Sequence, residues 1–266
     1  MKTLRRGEDG VRRVITDKAW RRLDAALGRL LSQRGAPADL APREFLEAVL
    51  YVNRTGIPWR DLPACFGEWS AVYMRFKRWR ERGVWEDLWR AVVRPGAAGA
   101  NKLFVDSTIV RAHPHAAGGG GDGEEAKGRS RGGYSTKIHL AVADEKTVLA
   151  VALTPGQAGD APAFDRVMEG VAAQPCPAAE VVADRGYDSN AIRQGLADAD
   201  FKVTIPSSRS RKRPIPHDAA SYRERNLAER AVARLKRLRR TATRYDKLGA
   251  VFLAMVHLSC IANALI

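Results

Sequence analysis

Cysteine is scarce. The three cysteines, Cys65, Cys176 and Cys260, are widely separated, odd in number and in no metal-ligand spacing. They exclude a disulfide scaffold and a thiolate zinc module, and they fit a reducing compartment. Histidine is also rare, at five residues. The pair His113 and His115 lacks further ligands nearby in sequence and reads as a loop or DNA contact rather than a metal site. The polar, basic start, Met1 to Arg13, has no apolar run behind it, so no secretory signal is expected. A single segment, 248–266, approaches membrane length. It carries Gly249, His257, Ser259 and Asn263, and it reads as a buried core helix rather than a membrane span.

Acidic residues are in short supply as well. The 266 residues contain 45 Lys+Arg against 30 Asp+Glu, a net charge of +15, which points to a polyanionic partner with nucleic acid first. The excess is uneven: residues 1–100 carry +8, residues 101–201 carry −4 and residues 202–266 carry +11. An acidic middle thus lies between two basic flanks. All six tryptophans fall in the first hundred residues, and Arg94-Pro-Gly-Ala-Ala-Gly-Ala-Asn101 reads as a linker. The expected division is a helical part, 1–98, followed by a mixed α/β part, 99–266.

Helices are expected at about 16–34, 42–54, 58–66, 69–82 and 84–93, punctuated by glycine and proline. Around Gly67 the pattern suggests a helix-turn-helix-like pair. In its second helix Trp69, Val72, Tyr73, Phe76 and Trp79 share one face, while Arg75, Arg78 and Arg82 share another that could meet DNA. A helical bundle with solvated arginines is the plainer alternative. Strands are expected at 102–106, 137–143, 148–153, 180–184 and 201–205, with helices at about 161–173 and 189–199, the latter capped by Asp188 or Ser189. This order gives a mixed sheet with helices packed on it.

Residues 118–133 hold eight glycines in sixteen, with no phosphate-loop Gly-Lys-Ser/Thr after them. The tip brings Lys127, Arg129 and Arg131 among glycines. A mobile hairpin and a phosphate-contacting loop fit that spacing equally. Lys137, on the following strand, could meet phosphate or lie on the sheet's wet face.

Two strands end in a carboxylate, Asp106 and Asp184, which is costly at the end of an apolar strand unless it is paired, hydrogen-bonded or metal-bound. A third carboxylate sits on a helix. At about 100° per residue, Tyr222, Arg225, Glu229 and Lys236 fall within an arc of roughly 60°. Leu227, Ala228, Ala231, Val232, Leu235 and Leu238 form the apolar stripe, so Glu229 lies at its border. Arg230, Arg234, Arg237 and Arg240 are expected to continue the outer face. Three carboxylates suit phosphodiester chemistry, in which two divalent ions activate the attacking oxygen and stabilise the leaving one. Mg²⁺ takes hard oxygen ligands and keeps several waters, so no histidine or cysteine cage is required.

The order Asp106, Asp184, Glu229 resembles the DDE triad of transposases with a ribonuclease-H-like core. Tyr222-x2-Arg225-x3-Glu229-x6-Lys236 matches the Tyr-Arg-Glu-Lys signature of a large class of bacterial insertion-sequence transposases. Gly56-Ile-Pro-Trp-Arg-Asp-Leu-Pro63, Gly128-Arg-Ser-Arg-Gly-Gly133, Thr136-Lys-Ile-His139, Leu153-Thr-Pro-Gly-Gln157, Ala183-Asp-Arg-Gly-Tyr-Asp-Ser189 and Ala242-Thr-Arg-Tyr-Asp-Lys247 resemble insertion-sequence group five. The similarity runs from about residue 20 to the end. Arg185 stands where lysine is frequent in the family, and only the short basic stretch 207–220 separates the fifth strand from the catalytic helix.

The resemblance implies a mixed α/β ribonuclease-H-like catalytic core behind an N-terminal all-α DNA-end-binding domain. Asp106, Asp184 and Glu229 are implied as catalytic residues holding two Mg²⁺ ions, with Mn²⁺ as a substitute. Double-stranded DNA, as element ends and as target, is the implied partner. A homodimer or higher multimer on DNA, no membrane and a cytoplasmic, nucleoid-associated location complete the expectation. A catalytically inactive, transposase-derived DNA-binding repressor or domesticated factor is the alternative.

Overall fold

The computed structural model describes residues 10–31, 40–116, 126–130 and 132–266. Four helices come first: α1 (Asp17–Leu30), α2 (Pro42–Thr55), α3 (Trp69–Glu81) and α4 (Val84–Ala97). Their ends follow local chemistry. Thr16 caps α1 through Ala19 N, Pro42 opens α2, and Gly56, at φ 76°, lets the chain leave it. The expected helix at 58–66 is instead two 3₁₀ turns, Trp59–Asp61 and Ala64–Phe66, so α3 has no α-helical partner across Gly67. Pro58 and Pro63, each just before a turn, limit it to one winding. The expected linker is likewise partly helix, because α4 runs through Pro95 to Ala97.

The sheet follows. Strand β1 (Lys102–Ala112) is continued by β2 (Gly128–Ser130), β3 (Gly133–Val142), β4 (Val148–Pro155), β5 (Glu180–Ala183), β6 (Lys202–Thr204) and the two-residue β7 (Thr243–Arg244). Strand β3 pairs antiparallel with both β1 and β4, and short β2 extends it. Parallel to β1 run β5 and, beyond it, β6. Helices α5 (Phe164–Ala172) and α6 (Asn190–Asp198) alternate with these strands. Then come α7 (Ala219–Arg223), α8 (Asn226–Leu235), α9 (Arg239–Ala242) and α10 (Gly249–Leu265). Ser189, not Asp188, caps α6 through Ile192 N.

Strand alternation sorts side chains between two layers. Leu103 and Val105 of β1 join α5 and α6 in one apolar cluster with Phe164, Val167 and Ile192. Phe104 and Val110 face the other way, into a cluster that also takes in α2, α4, α8 and α10. Thus the helical part and the sheet share a core across the expected boundary at residue 98. Trp89 of α4 donates Nε1–H to Val148 O at 3.0 Å and stacks on His257 of α10 at 4.8 Å. Helix α10 is buried along its length, as expected of a core helix, and among the described residues no helix is long and apolar enough to cross a membrane.

Two buried histidines give the fold an acid sensitivity. Burial, with Arg90 adding repulsion, lowers His257 to about 3. Burial also lowers His139 to about 4; Asp160 opposes the shift, and Lys137 and Arg166 reinforce it. Both imidazoles therefore bind a proton less readily folded than unfolded. The unfolded chain takes up protons below about pH 6.5, so stability should fall as pH drops from there toward 4. Urea unfolding at pH 7 and pH 5 measures the loss, and His257→Phe, which keeps the stack on Trp89, should shrink it. An equal loss in that variant would remove His257 from the account.

Candidate active site

Asp106 has the same parity on β1 as Phe104, so it faces the layer that contains α8. The parallel register ends at Val105 against Ala183, and one further step brings Asp106 beside Asp184, on strands about 5 Å apart. The Asp106 side chain is 15% exposed. Its pKa is raised, first by burial, then by the charges of Asp184 and Glu229, while Ser107 N–H and Arg225 pull the other way. Both other carboxylates therefore act on Asp106.

Asp184 sits where β5 gives way to a 3₁₀ turn, and its Oδ1 accepts from Gly186 N at 2.7 Å. Glu229 lies in the first turn of α8 and is 54% exposed. Arg225, just before that helix, joins the pieces. Its guanidinium reaches Asp106 Oδ2 at 3.3 Å and donates a short hydrogen bond to Glu229. Burial disfavours its charge, but Asp106, Tyr222, Glu229 and Asp184 together raise its pKa. Among the described residues no three carboxylate, imidazole or thiol groups stand in mutual ligating positions; the cation between Asp106 and Glu229 is Arg225.

The rest of the Tyr-Arg-Glu-Lys pattern does not lie on one unbroken helix: Tyr222 stands beside Arg225, while Lys236 reaches β1 farther along, at Ile109. Tyr222 closes α7, Arg225 links it to α8, and Lys236 caps the end of α8. Tyr222 lies beside His217 and within 5.9 Å of the Arg225 guanidinium. Lys236 donates to Ile109 O of β1 at 3.0 Å, and burial lowers its pKa. Residues 223–225 keep the chain turning between α7 and α8, so Tyr222, Arg225 and Glu229 still fall together.

Several cations expected on the surface are engaged elsewhere. Lys137 is buried and its Nζ donates to Ala158 O at 2.6 Å and to Asp160 at 3.0 Å, so it is not offered to phosphate. Arg75 stacks on Phe45 at 4.3 Å and donates to Leu40 O, which removes it from the face of Arg78 and Arg82. Arg240 is not on the outer face of α8, which ends at Leu235; it is buried on α9 against Asp246 and Ile57 O. Arg234 binds Asn263, and Arg230 pairs with Glu145 while staying half exposed. Arg78, Arg82, Arg129 and Arg237 are exposed, and Arg131 lies outside the described residues. His113 packs on His115 and on Tyr245. Asp188 is fully buried between Arg193 and Arg211, with Ser208 N also donating to it. The Arg211 bonds hold its carboxyl well below the usual carboxylate range. It anchors the basic stretch that precedes α7.

Other groups beside the triad escaped the sequence reading. Ser107 donates N–H to Asp106 at 2.9 Å and its hydroxyl to Asp160 at 2.7 Å. Asp160 lies in the loop after β4, and no spacing rule connects it to Asp106 or Asp184. Tyr187, in the turn after Asp184, is buried, and burial with the charges of Asp160, Asp106 and Asp184 raises its phenol pKa strongly.

Residues 98–264 match the family described as transposase DDE domain, and residues 15–89 match that described as putative transposase of IS4/5 family. An uncharacterized protein of Sinorhizobium fredii is 40% identical over 111 residues, 41% of this chain and 82% of that one. A putative transposase for insertion sequence element IS6501 from Brucella ovis is 32% identical over 129 residues, 47% of this chain and 95% of that one. Among solved structures, a piggyBac transposase synaptic complex with hairpin DNA aligns over 91% of this chain and 70% of that chain, with TM-score 0.45 and 12% identity. By its matched domain and its relatives, the chain belongs to the DDE-domain transposases of bacterial insertion sequences.

Proposed function

We propose that this chain binds the terminal inverted repeats of its insertion sequence, cleaves DNA at those ends and joins the freed 3′-hydroxyl to target DNA. In this reading residues 1–98 form a DNA-end-binding part and residues 99–266 a ribonuclease-H-like catalytic part. The observation that carries it is the meeting of three carboxylates from distant parts of the chain: Asp106 beside Asp184 by strand register, and Glu229 tied to Asp106 through Arg225. Nothing in the packing requires one exposed acid and two partly buried ones to share a place. Such an arrangement is costly unless a cation or a polyanion-processing site accounts for it.

The donor set suits a hard divalent ion, being all carboxylate, and a cation already sits between two of its members. Asp106, Asp184 and Glu229 would hold two Mg²⁺ or Mn²⁺ ions, which when bound activate the attacking oxygen and stabilise the leaving one. The chain's own groups do the rest. Ser107 N–H fixes the Asp106 carboxylate, Gly186 N–H fixes that of Asp184, and Arg225 offsets the repulsion among the acids. Tyr222, Lys236 and the exposed Arg78, Arg82, Arg129, Arg230 and Arg237 are the proposed contacts for the DNA backbone. Two ends must be held together, so a homodimer or larger multimer on DNA in the bacterial cytoplasm is part of the proposal.

The test is incubation of labelled element ends with the protein and Mg²⁺ or Mn²⁺. Cleavage at the terminal nucleotide followed by joining is expected. Specific binding without any metal-dependent cutting would leave only a DNA-binding factor. A companion prediction separates free from engaged arginines. Arg237→Ala should lower the slope of log affinity against log salt by about one unit, whereas Arg234→Ala should leave the slope alone. Fluorescence anisotropy across a salt series reads this directly. An unchanged slope for Arg237→Ala would assign that residue to solvent.

A further inference from the structure

Beside the triad lies a fourth carboxylate with an unusual pattern of support. The two oxygens of Asp160 have separate environments. Oδ1 takes the Ser107 hydroxyl at 2.7 Å and Lys137 Nζ at 3.0 Å, and it faces His139 Nδ1 at 3.9 Å. The ring of His139 is fixed from its other side by Thr154 Oγ1 at 2.8 Å. Oδ2 turns toward Gly186. A Cβ at that position would stand 3.2 Å from Asp160 Oδ2 and 2.9 Å from Asp184 Oδ1, so both oxygens border one small gap that glycine leaves open.

Two buried polar atoms near Asp160 lack hydrogen-bond partners. The Tyr187 hydroxyl lies among Asp160, Asp106, Asp184 and Ser107 and makes no hydrogen bond of good geometry. His139 Nδ1, on a residue with 0% exposure, is also without one. Unsatisfied buried polar atoms are uncommon, and each calls for a partner such as a water or an ion, or for a role in chemistry. Ser107 ties this group to the triad directly, since its amide holds Asp106 and its hydroxyl holds Asp160.

We propose that Asp160 is a positioning residue of the active site, whose Oδ2 accepts hydrogen bonds from the hydration shell of the divalent ion held by Asp106 and Asp184. The proposal rests on the metal-dependent reading of the triad. Mg²⁺ and Mn²⁺ retain several waters in such sites, and acceptors for those waters raise affinity without being ligands. Loss of an outer partner of this kind typically weakens metal binding about 10- to 100-fold. Lys137 and Ser107 hold Oδ1, which leaves the second oxygen committed to the gap. The sequence Thr154-Pro-Gly-Gln-Ala-Gly-Asp160 thereby acquires a purpose: it carries a carboxylate back over the end of β5.

The experiment is Mn²⁺ titration by calorimetry of the full chain without DNA, in wild type, Asp160→Asn, Asp184→Asn and Gly186→Ala, with metal-free melting curves for each. The expected result is Mn²⁺ affinity reduced about 10- to 100-fold in Asp160→Asn, with Asp184→Asn affected at least as strongly. Gly186→Ala, whose Cβ would fill the gap and press on Asp184 Oδ1 as well, should weaken binding likewise, and Asp160→Ser serves if Asp160→Asn does not fold. A lowered metal-free melting temperature with unchanged Mn²⁺ affinity would make Asp160 a loop anchor and overturn the proposal. Mn²⁺ binding lost in Asp184→Asn but intact in Asp160→Asn and Gly186→Ala would overturn it while leaving the triad standing. No Mn²⁺ binding by wild type would overturn both.

Discussion

Asp184→Asn is expected to reduce end cleavage at least about 10³-fold, which is roughly 4 kcal/mol of lost transition-state stabilisation. Shape is preserved: the side-chain carbonyl of asparagine can still accept from Gly186 N, so the turn that Asp184 caps should persist. Charge is what disappears, and with it a strong oxygen ligand of the proposed site. The same change relieves repulsion on Asp106, so the folded chain should be no less stable. Binding to end DNA, carried by the basic flanks, should stay within a few-fold of wild type or tighten. Gel-resolved cleavage of a labelled end, alongside anisotropy on the same duplex, separates the two effects. Cleavage within about tenfold of wild type would remove Asp184 from the chemistry.

A second large effect is expected for stability. Trp89→Ala should cost about 3–5 kcal/mol, the usual range for deleting a large buried aromatic. The residue is 2% exposed, its ring lies flat on His257, and its indole N–H satisfies Val148 O on β4. Removing it leaves a cavity where α4, α10 and the sheet meet, and it strands a backbone carbonyl. Because those elements share one core, wild type should unfold in a single transition despite the sharp change of composition near residue 98. Urea denaturation followed by tryptophan fluorescence and far-UV circular dichroism tests both points. Two separated transitions, or a loss below about 1.5 kcal/mol, would show that the helical part and the sheet stand independently.

Much of this organisation was legible because strands and carboxylates obey local rules. The apolar runs around Phe104, Leu140 and Val182 mark β1, β3 and β5 without knowledge of their partners. Aspartates after the apolar runs of β1 and β5, with a glutamate on the edge of an amphipathic helix, pick out Asp106, Asp184 and Glu229. Strand β1, however, does not end at Asp106 as expected but runs on to Ala112 through its pairing with β3. What escaped depends on partners distant in sequence. Lys137 looks like any strand lysine until the loop after β4 brings Asp160 beneath it. Arg75 shares a helix face with Arg78, yet the Phe45 ring and Leu40 O draw it inward. Arg240 continues an arithmetic series of arginines, but the helix breaks at residue 235 and Asp246 takes it into the interior. The reach of α4 through Pro95 was also hidden, since Pro-Gly usually ends a helix and only packing of Ala97 under the sheet keeps this one going.

The position of α10 has a consequence for how the chain acquires its structure. Trp85, Leu88, Trp89 and Val92 are made well before Val251, Phe252, Met255 and Val256, which share their core. Between the two events a broad apolar surface rich in tryptophan has no cover. Closing so distant a pairing is slow, and the waiting intermediate is prone to aggregate. Nascent chains should therefore depend on chaperones until α10 has left the ribosome and covered that surface, and only then can the core of α4, α10 and the sheet close.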